Sequence, residues 1–305
     1  MRTSFITVLM EQAKLDDKIF LLTPDMGFSV FETFAETFPD RFLNTGVAEQ
    51  NAMGVATGLA LSGFKPYVYS IAPFVLMRCY EQVRLGAAYM EANIKIIGSG
   101  GGVAYGPQGT THHIIEDFAI AKVLPGMIVC APADPVEARQ IFEQSVSISS
   151  PMYIRIAKNH EPMVHDANDR ITIGKAFNLV QGNDIEILTM GIITHRIREW
   201  LPELKEQQGI SAGLTVFPTI KPLDTHYLND LISSGKDILV CEEHNIVGGL
   251  GESVCSYLNQ KDAQNRVRLM GIPDRYSHYI GGQQYILEKM GLWNVPDIKM
   301  LFGKI

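Results

Sequence analysis

The feature that most constrains the fold is a regular alternation of short apolar runs with segments of helical spacing. In the first half of the chain, apolar runs of strand length occupy 19–23, 66–71, 94–99, 127–132 and 152–157. Helical patterns lie at 29–38, 49–63, 74–91, 115–123 and 135–147. Nearly continuous apolar strands that alternate with helices predict a parallel sheet covered by helices on both faces.

The pattern lapses over the polar segment 158–170 and then resumes. Further strands are expected at 184–191, 212–218, 237–244 and 267–272, with helices near 194–208, 224–234, 248–258 and 281–291. We therefore predict an α/β protein of two domains, each a mostly parallel sheet with helices on both faces. The predicted domains are residues 1–158 and 172–305, and residues 159–171 are the predicted linker.

Composition excludes several classes of protein. The 305 residues carry a formal net charge of −7, which argues against a broad nucleic-acid-binding face. We find neither a signal peptide nor a run of apolar residues long enough to span a membrane. The four cysteines form no CxxC pair, so we expect reduced, buried thiols in a cytoplasmic protein.

Candidate site residues cluster where the predicted strands end, because ligands of such sheets bind at the carboxyl ends of the strands. Asp25 follows the first strand and Lys158 follows the last strand of the first domain. Glu49 begins a helix that carries no other charge before Lys65. A carboxylate that leads an apolar helix needs a partner or a task, although a structural role at the helix N-terminus is an alternative.

Two further stretches invite a ligand-binding interpretation. "GSGGGVAYGPQG" follows a strand but fits neither the GxGxxG nor the GxxxxGK[ST] spacing, so we interpret it as a mobile loop that approaches a substrate closely. "EEHNIVGGLGE" places two carboxylates and a histidine side by side, which is not a metal-ligand spacing. We interpret it as a strand-to-helix turn packed at the boundary between two subunits.

Six stretches in series resemble one known family. They are "PDRFLNTGVAEQNAMGVATGLALSG", "FVLMRCYEQVR", "GPQGTTHHIIEDFAI", "VCAPADPVEA", "TIKPLD" and "EEHNIVGGLGE". Together they resemble the second half of a transketolase, most closely the C-terminal subunit of the split, two-chain enzymes, over residues 3–300. The resemblance implies a pyrimidine-binding domain for thiamine diphosphate followed by a transketolase C-terminal domain.

The resemblance implies four cofactor-binding residues. Glu49, in "AEQN", matches the catalytic glutamate that hydrogen-bonds N1′ of the cofactor's aminopyrimidine, and a buried carboxyl group can share a proton with such a ring nitrogen. The expected partner of Glu49 is therefore not an amino acid. Phe74 matches the aromatic residue that stacks on the pyrimidine, with Arg78 four residues later, and Asp25 matches an acidic residue near the thiazolium. A core phenylalanine and a turn aspartate are the alternatives.

The resemblance also implies substrate contacts. His112 matches a catalytic histidine that contacts the donor sugar and transfers protons, as suits an imidazole near neutral pH. Ser29 and Lys158 match positions that hold a sugar phosphate. Gly100 and Gln108 stand where the family commonly has a histidine and an aspartate that contact the substrate. We therefore expect an unusual sugar substrate.

The Gly-Asp-Gly motif, with which the family binds Mg²⁺ and the diphosphate, does not occur in these 305 residues. We expect no metal site here, Mg²⁺ ligands on a partner N-terminal transketolase subunit, an α₂β₂ assembly, and no activity of this chain alone. The predicted reaction is transfer of a two-carbon ketol unit between sugars or sugar phosphates. The alternatives are a β subunit of a 2-oxo acid dehydrogenase, a 1-deoxyxylulose-phosphate-synthase-like enzyme and a non-catalytic binding subunit.

Overall fold

Short strands and helices alternate through the computed structural model, which describes residues 1–158 and 161–303. The strands are β1 (Ile19–Thr23), β2 (Phe42–Asn44), β3 (Lys65–Ile71), β4 (Lys95–Ser99), β5 (Ile128–Cys130), β6 (Met152–Ile156), β7 (Phe177–Val180), β8 (Ile185–Met190), β9 (Ala212–Val216), β10 (Thr219–Lys221), β11 (Asp237–Asn245) and β12 (Val267–Ile272).

The α-helices are α1 (Arg2–Ala13), α2 (Glu32–Thr37), α3 (Glu49–Leu61), α4 (Tyr80–Gln82), α5 (Asp117–Lys122), α6 (Pro135–Ser145), α7 (Thr194–Glu203), α8 (Thr225–Ser234), α9 (Leu250–Gln260), α10 (Gln283–Lys289) and α11 (Ile298–Phe302). Turns of 3₁₀-helix cover Pro39–Arg41 and Gly106–Thr111, and π-helical turns cover Pro73–Arg78, Val83–Tyr89 and Leu204–Gln208. None of the helices in the described part of the chain has both the length and the apolar character needed to cross a bilayer.

Two sheets confirm the predicted α/β class. The first has seven strands in the order β2–β1–β3–β4–β6–β5–β10, and the second has five in the order β12–β11–β8–β9–β7. The strands of each sheet run parallel except β10 and β7, which pair antiparallel at an edge. Apart from the exposed edge strand β2, the parallel strands are the apolar runs of the sequence, because a strand covered by helices on both faces has no side that faces water.

The strand β10 links the two halves of the chain. It belongs to the second half in sequence, yet Thr219 pairs with Cys130 of β5 in the first sheet. Phe217 and Ile220, which flank its start, are buried in one apolar cluster with residues of both sheets. The sequence did not predict β10, since three residues are too few to show a strand periodicity.

The predicted single helix over 74–91 is wrong. Two π-helical segments flank the short α4, and Cys79 between them has non-helical backbone angles of φ −112° and ψ 28°. In the second segment, a Cβ atom on Gly86 would lie 2.1 Å from the hydroxyl oxygen of Thr57 in α3. The wider π-helical turns therefore occur where this segment packs closely against α3. The spacing of apolar residues in the sequence does not reveal such a contact.

Hydrogen bonds attach the predicted linker, 159–171, to the first domain. Residues 159–160 lie outside the described residues. Beyond them, Asp134 at the start of α6 accepts hydrogen bonds from the backbone N–H groups of Val164 and His165, at 2.8 Å and 2.7 Å. The side chain of Gln140 accepts from Ile171 N at 2.9 Å. The segment lacks periodicity because α6 side chains, not a helix or a strand, satisfy its backbone. The exact domain boundaries stay a prediction.

A buried ion pair of the first domain also contacts the second domain. Arg155 of β6 donates to Asp117 Oδ1 at 3.0 Å and to the backbone carbonyl of Glu243, in β11, at 3.1 Å. Tyr153 donates its hydroxyl to Asp117 Oδ2 at 2.8 Å, and the Arg155 guanidinium lies 3.9 Å from the centre of the Phe118 ring. Each charge is therefore hydrogen-bonded as well as paired, which is the condition under which buried ions are tolerated.

The segment 242–252 takes part in this contact. Lys122 of α5 donates to the carbonyl of Gly249 at 3.0 Å, and a Cβ atom on Gly248 would lie 2.4 Å from Ala119 Cβ. This strand-to-helix turn therefore packs against α5 of the same chain, and the expected contact with a second subunit stays a prediction.

We predict that Asp117→Asn lowers the free energy of unfolding by about 3–5 kcal/mol, because it leaves the Arg155 guanidinium buried without its counter-charge. Urea unfolding followed by circular dichroism measures the change. Glu11→Gln is the matched control, since Glu11 pairs with Arg139 at 2.7 Å but both side chains are about half exposed. The control should cost less than about 1 kcal/mol. Equal small losses for the two variants would contradict the assigned role of the buried pair.

Candidate functional site

The candidate residues lie along one edge of the first sheet. Glu49 follows β2, Asp25 follows β1, Phe74 follows β3, Gly100 follows β4 and Lys158 follows β6. These five strands are parallel neighbours, so their carboxyl ends meet at the same edge. The sheet order thus brings together residues that are more than 130 positions apart in the sequence.

Glu49 sits at the start of α3 and is 5% exposed. Arg78 Nη1 lies 3.1 Å from each of its carboxylate oxygens. Arg78 is therefore the partner of Glu49 within this chain, and the expected pairing of Glu49 with the cofactor stays a prediction. No side chain caps the helix, whose N-cap residue is Ala48, but Glu49 is the acidic residue of its first turn, as the structural alternative describes.

Ring contacts continue from this ion pair. The Arg78 guanidinium lies 4.3 Å from the centre of the Phe74 ring, and that ring lies 5.2 Å, edge to face, from the imidazole of His112. Phe74 is half-buried and Arg78 is 47% exposed, so this side of the group opens to solvent. Phe74 is therefore not simply a core residue, because its ring lies between the polar side chains of Arg78 and His112.

Tyr105, which was not selected from the sequence, continues this series of contacts. The Tyr105 ring lies 6.0 Å from the His112 ring, centre to centre, and Lys158 Nζ lies 4.5 Å from the centre of the Tyr105 ring. The continuous set is named the site row and consists of Glu49, Arg78, Phe74, His112, Tyr105 and Lys158. A signal was available, because Tyr105 is the one aromatic residue of the glycine-rich stretch.

Residues 98–103 of the glycine-rich stretch are buried, whereas Pro107 and Gln108 near its end are exposed, and the expected mobility of the loop stays a prediction. A Cβ atom at three consecutive glycines would lie 2.0–2.2 Å from another side chain, namely Tyr105 at Gly100, Arg155 at Gly101 and Glu243 at Gly102. Glu243 also accepts a hydrogen bond from Val103 N at 2.8 Å. The glycines are there because side chains from both domains approach the backbone closely, not because the segment needs freedom.

His112 lies at the end of the 3₁₀ segment that also carries Gln108. The Thr111 hydroxyl lies 3.0 Å from His112 Nδ1 and is positioned to fix the orientation of the ring. The Gln108 backbone N–H donates to the carbonyl of Tyr105 at 2.9 Å, and its side chain is exposed. Gln108 therefore lies on the same segment as His112, and its amide faces solvent.

Asp25 and Ser29 are exposed, and none of the contacts among the described residues joins them to the site row. Asp25 exchanges two hydrogen bonds with Asn44, at 3.0 Å and 3.2 Å, which is what the turn interpretation describes. The backbone N–H of Ser29 donates to Glu32 Oε1 at 2.7 Å. Both residues have positive φ, at 57° and 61°, so this loop has a defined, tightly turned conformation.

The site row fits one end of an aminopyrimidine cofactor. A buried carboxylate offers an acceptor for a ring nitrogen, and its guanidinium partner is exposed enough for water or a ligand to replace it. The half-buried Phe74 offers an apolar face beside that acceptor. Within residues 1–158 and 161–303, no group of three or more His, Cys, Asp or Glu side chains is placed to hold a metal ion.

Comparison with known proteins gives two family matches. The family described as "Transketolase, pyrimidine binding domain" matches residues 1–162, and "Transketolase, C-terminal domain" matches residues 174–298. Among similar proteins, one of the subunits of an apulose-4-phosphate transketolase from Phocaeicola vulgatus is 36% identical over 95% of this chain and 94% of that protein. A 6-deoxy-6-sulfo-D-fructose transketolase subunit from a Clostridium species is 34% identical over 96% of this chain and 90% of its own length.

A solved structure agrees with these matches. A split-gene transketolase, described as an inactive beta4 tetramer, superposes with a TM-score of 0.85 and 33% identity, over 96% of this chain and 93% of that one. The predicted resemblance is thereby confirmed over both halves of the chain. This chain belongs to the transketolase family and corresponds to the C-terminal half that split transketolases carry as a separate subunit.

Proposed function

We propose that this chain is the C-terminal subunit of a two-chain, thiamine-diphosphate-dependent transketolase that transfers a two-carbon ketol unit between sugars or sugar phosphates. The observation that carries the proposal is the site row, which leads from a buried carboxylate at Glu49 through His112 to an ammonium group at Lys158. Such a reaction needs three groups from this chain, namely an acid that activates the cofactor, a base that transfers protons and a ligand for the anionic end of the sugar.

Three residues serve the cofactor in this proposal. When bound, thiamine diphosphate supplies the nucleophilic carbon that carries the two-carbon unit. The Glu49 carboxylate holds a proton shared with N1′ of the pyrimidine, and Arg78, which is 47% exposed, turns toward solvent to free one carboxylate oxygen. Phe74 packs on the pyrimidine ring and excludes water from the proton between the ring and Glu49. Asp25 lies nearer the thiazolium.

The remaining residues serve the substrate. His112 donates a proton to, or accepts one from, a substrate hydroxyl, with Thr111 holding its Nδ1. Lys158 and Ser29 bind the anionic end of the sugar. Gly100 and Gln108 replace two polar contacts that an ordinary sugar phosphate receives in the family. Two relatives, named for apulose 4-phosphate and for 6-deoxy-6-sulfo-D-fructose, support a sugar that is unusual and carries an anionic group.

A partner completes the site in this proposal. An N-terminal transketolase subunit provides the Mg²⁺ ligands and the domain for the diphosphate, and two copies of each chain form an α₂β₂ assembly. The names of the relatives, which describe subunits and a split gene, support this arrangement. The site row supports it as well, because it offers groups for the pyrimidine end of the cofactor.

Glu49→Gln is expected to lower turnover by about 100-fold or more, because an amide of the same size cannot hold the shared proton. The measurement uses the two chains assembled with thiamine diphosphate and Mg²⁺. A panel of ketose donors and aldose acceptors is screened by mass spectrometry for a two-carbon gain and loss, and the most active pair serves for kinetics.

Glu36→Gln is the control for this variant, since Glu36 is an exposed carboxylate of α2. It should keep turnover within about twofold of the unaltered complex. Near-normal turnover by Glu49→Gln would contradict the role of this carboxylate. Products that differ by something other than two carbons would contradict the reaction type.

Thiamine diphosphate is expected to bind this chain weakly when no partner is present, because the site row offers contacts for the pyrimidine alone. Titration calorimetry of the isolated chain, with and without Mg²⁺, should give no micromolar binding. The assembled pair of chains should bind the cofactor in a Mg²⁺-dependent manner. Micromolar, Mg²⁺-dependent binding by the isolated chain would refute the division of the site between two subunits.

A further inference from the structure

Tyr105 occupies the middle of the site row, between the two groups to which the proposed function gives substrate contacts. It is 9% exposed, its ring lies 6.0 Å from that of His112, and Lys158 Nζ lies 4.5 Å from its ring centre. An ammonium group at this distance from an aromatic ring is attracted by the negative face of the ring. Lys158 is a long, flexible side chain, and this contact restricts where its charge lies.

Gly100 makes this position of the ring possible. A Cβ atom on Gly100 would lie 2.0 Å from Tyr105 Cε2 and 2.5 Å from Cδ2. Any side chain at position 100 would therefore displace the ring. The family resemblance implies a histidine at position 100, whereas in this chain an aromatic ring from five residues later fills the space that such a side chain would need.

The ring of Tyr105 acts as a neutral group. Burial raises the pKa of the Tyr105 hydroxyl above its usual value, so the phenol stays protonated at physiological pH. A neutral ring holds the Lys158 ammonium through its face and leaves the positive charge uncompensated. A carboxylate in the same place would neutralise that charge and repel an anionic ligand.

We propose that Tyr105 is a positioning residue that fixes the Lys158 ammonium relative to His112, and that this spacing selects sugars with a phosphate or sulfonate at the end remote from the reacting carbon. The inference rests on the proposed function for its substrate. The position of Lys158 over the ring can be measured without it.

The geometry is tested by NMR of the full chain after reductive methylation of its lysines with ¹³C-formaldehyde. Methyl groups on Lys158 should resonate upfield of those on exposed lysines, because the Tyr105 ring current shields them. Lys158→Arg assigns the signal by removing it. The upfield shift should persist in Tyr105→Phe, which keeps the ring, and disappear in Tyr105→Leu.

Gly100→Ala tests the same geometry from the other side, since the added methyl group must push the ring away. Gly209→Ala is its matched control, because Gly209 also has a positive φ, of 71°, but no atom lies within 4 Å of the added carbon. Gly100→Ala should abolish the upfield shift of Lys158, and Gly209→Ala should not. A Lys158 signal that is unshifted in the unaltered chain, or unchanged in Tyr105→Leu, would overturn the inference.

The consequence for selectivity is tested with the assembled two-chain enzyme and two acceptors, glyceraldehyde 3-phosphate and glyceraldehyde. Tyr105→Leu should lower the ratio of kcat/KM for the phosphorylated over the unphosphorylated acceptor by roughly five- to tenfold, mainly through KM. Tyr105→Phe should keep the ratio within about twofold. In a Lys158→Met background, Tyr105→Leu should change the ratio no further, since both variants remove the same interaction.

The outcomes separate the two proposals. An equal loss for both acceptors, or a full effect of Tyr105→Leu in the Lys158→Met background, would overturn the role of Tyr105 in selecting anionic sugars. Absence of turnover in the unaltered complex with either acceptor and with every other pair of the panel would instead count against the proposed function. In that case the NMR experiment still decides whether Tyr105 positions Lys158.

Discussion

The buried contact between Arg155 and Asp117 is the interaction on which the arrangement of the site depends. The guanidinium reaches from the first sheet to a carboxylate of α5 and to the backbone of Glu243 in the second domain. Its side chain also fills the space beside Gly101. The segment 100–112 is therefore packed between side chains of the two domains. The positions of Tyr105 and His112 thus follow from how the two domains meet, rather than from local loop preferences.

The alternation of apolar runs was enough to predict the class of the fold and the long parallel strands, because strands buried on both faces leave a clear hydrophobic pattern. It could not predict β2, β7 and β10, which are three or four residues long. The pairing of β10 with β5 is a contact between distant parts of the chain, which no local pattern records. Helical spacing also failed to separate the π-helical turns of 73–89 from an α-helix.

The motifs predicted most of the site row, whose members selected from the sequence are Glu49, Phe74, Arg78, His112 and Lys158. What the sequence could not predict are two contacts that the spacing of apolar residues does not record. The pairing of Glu49 with Arg78 is one. The position of the Tyr105 ring beside Gly100 is the other. The glycines suggested mobility, whereas the backbone there is closely packed.

The proposed function depends most on the Glu49 carboxylate, which we propose that this chain offers to a cofactor shared with another subunit. A crystal or cryo-electron microscopy structure of the assembled chains with thiamine diphosphate and Mg²⁺ tests this claim most directly. We predict a Glu49 oxygen within hydrogen-bond distance, about 2.5–3.0 Å, of the pyrimidine N1′, with the diphosphate held by the partner. A structure in which Glu49 still pairs with Arg78 and the pyrimidine ring binds elsewhere would contradict it.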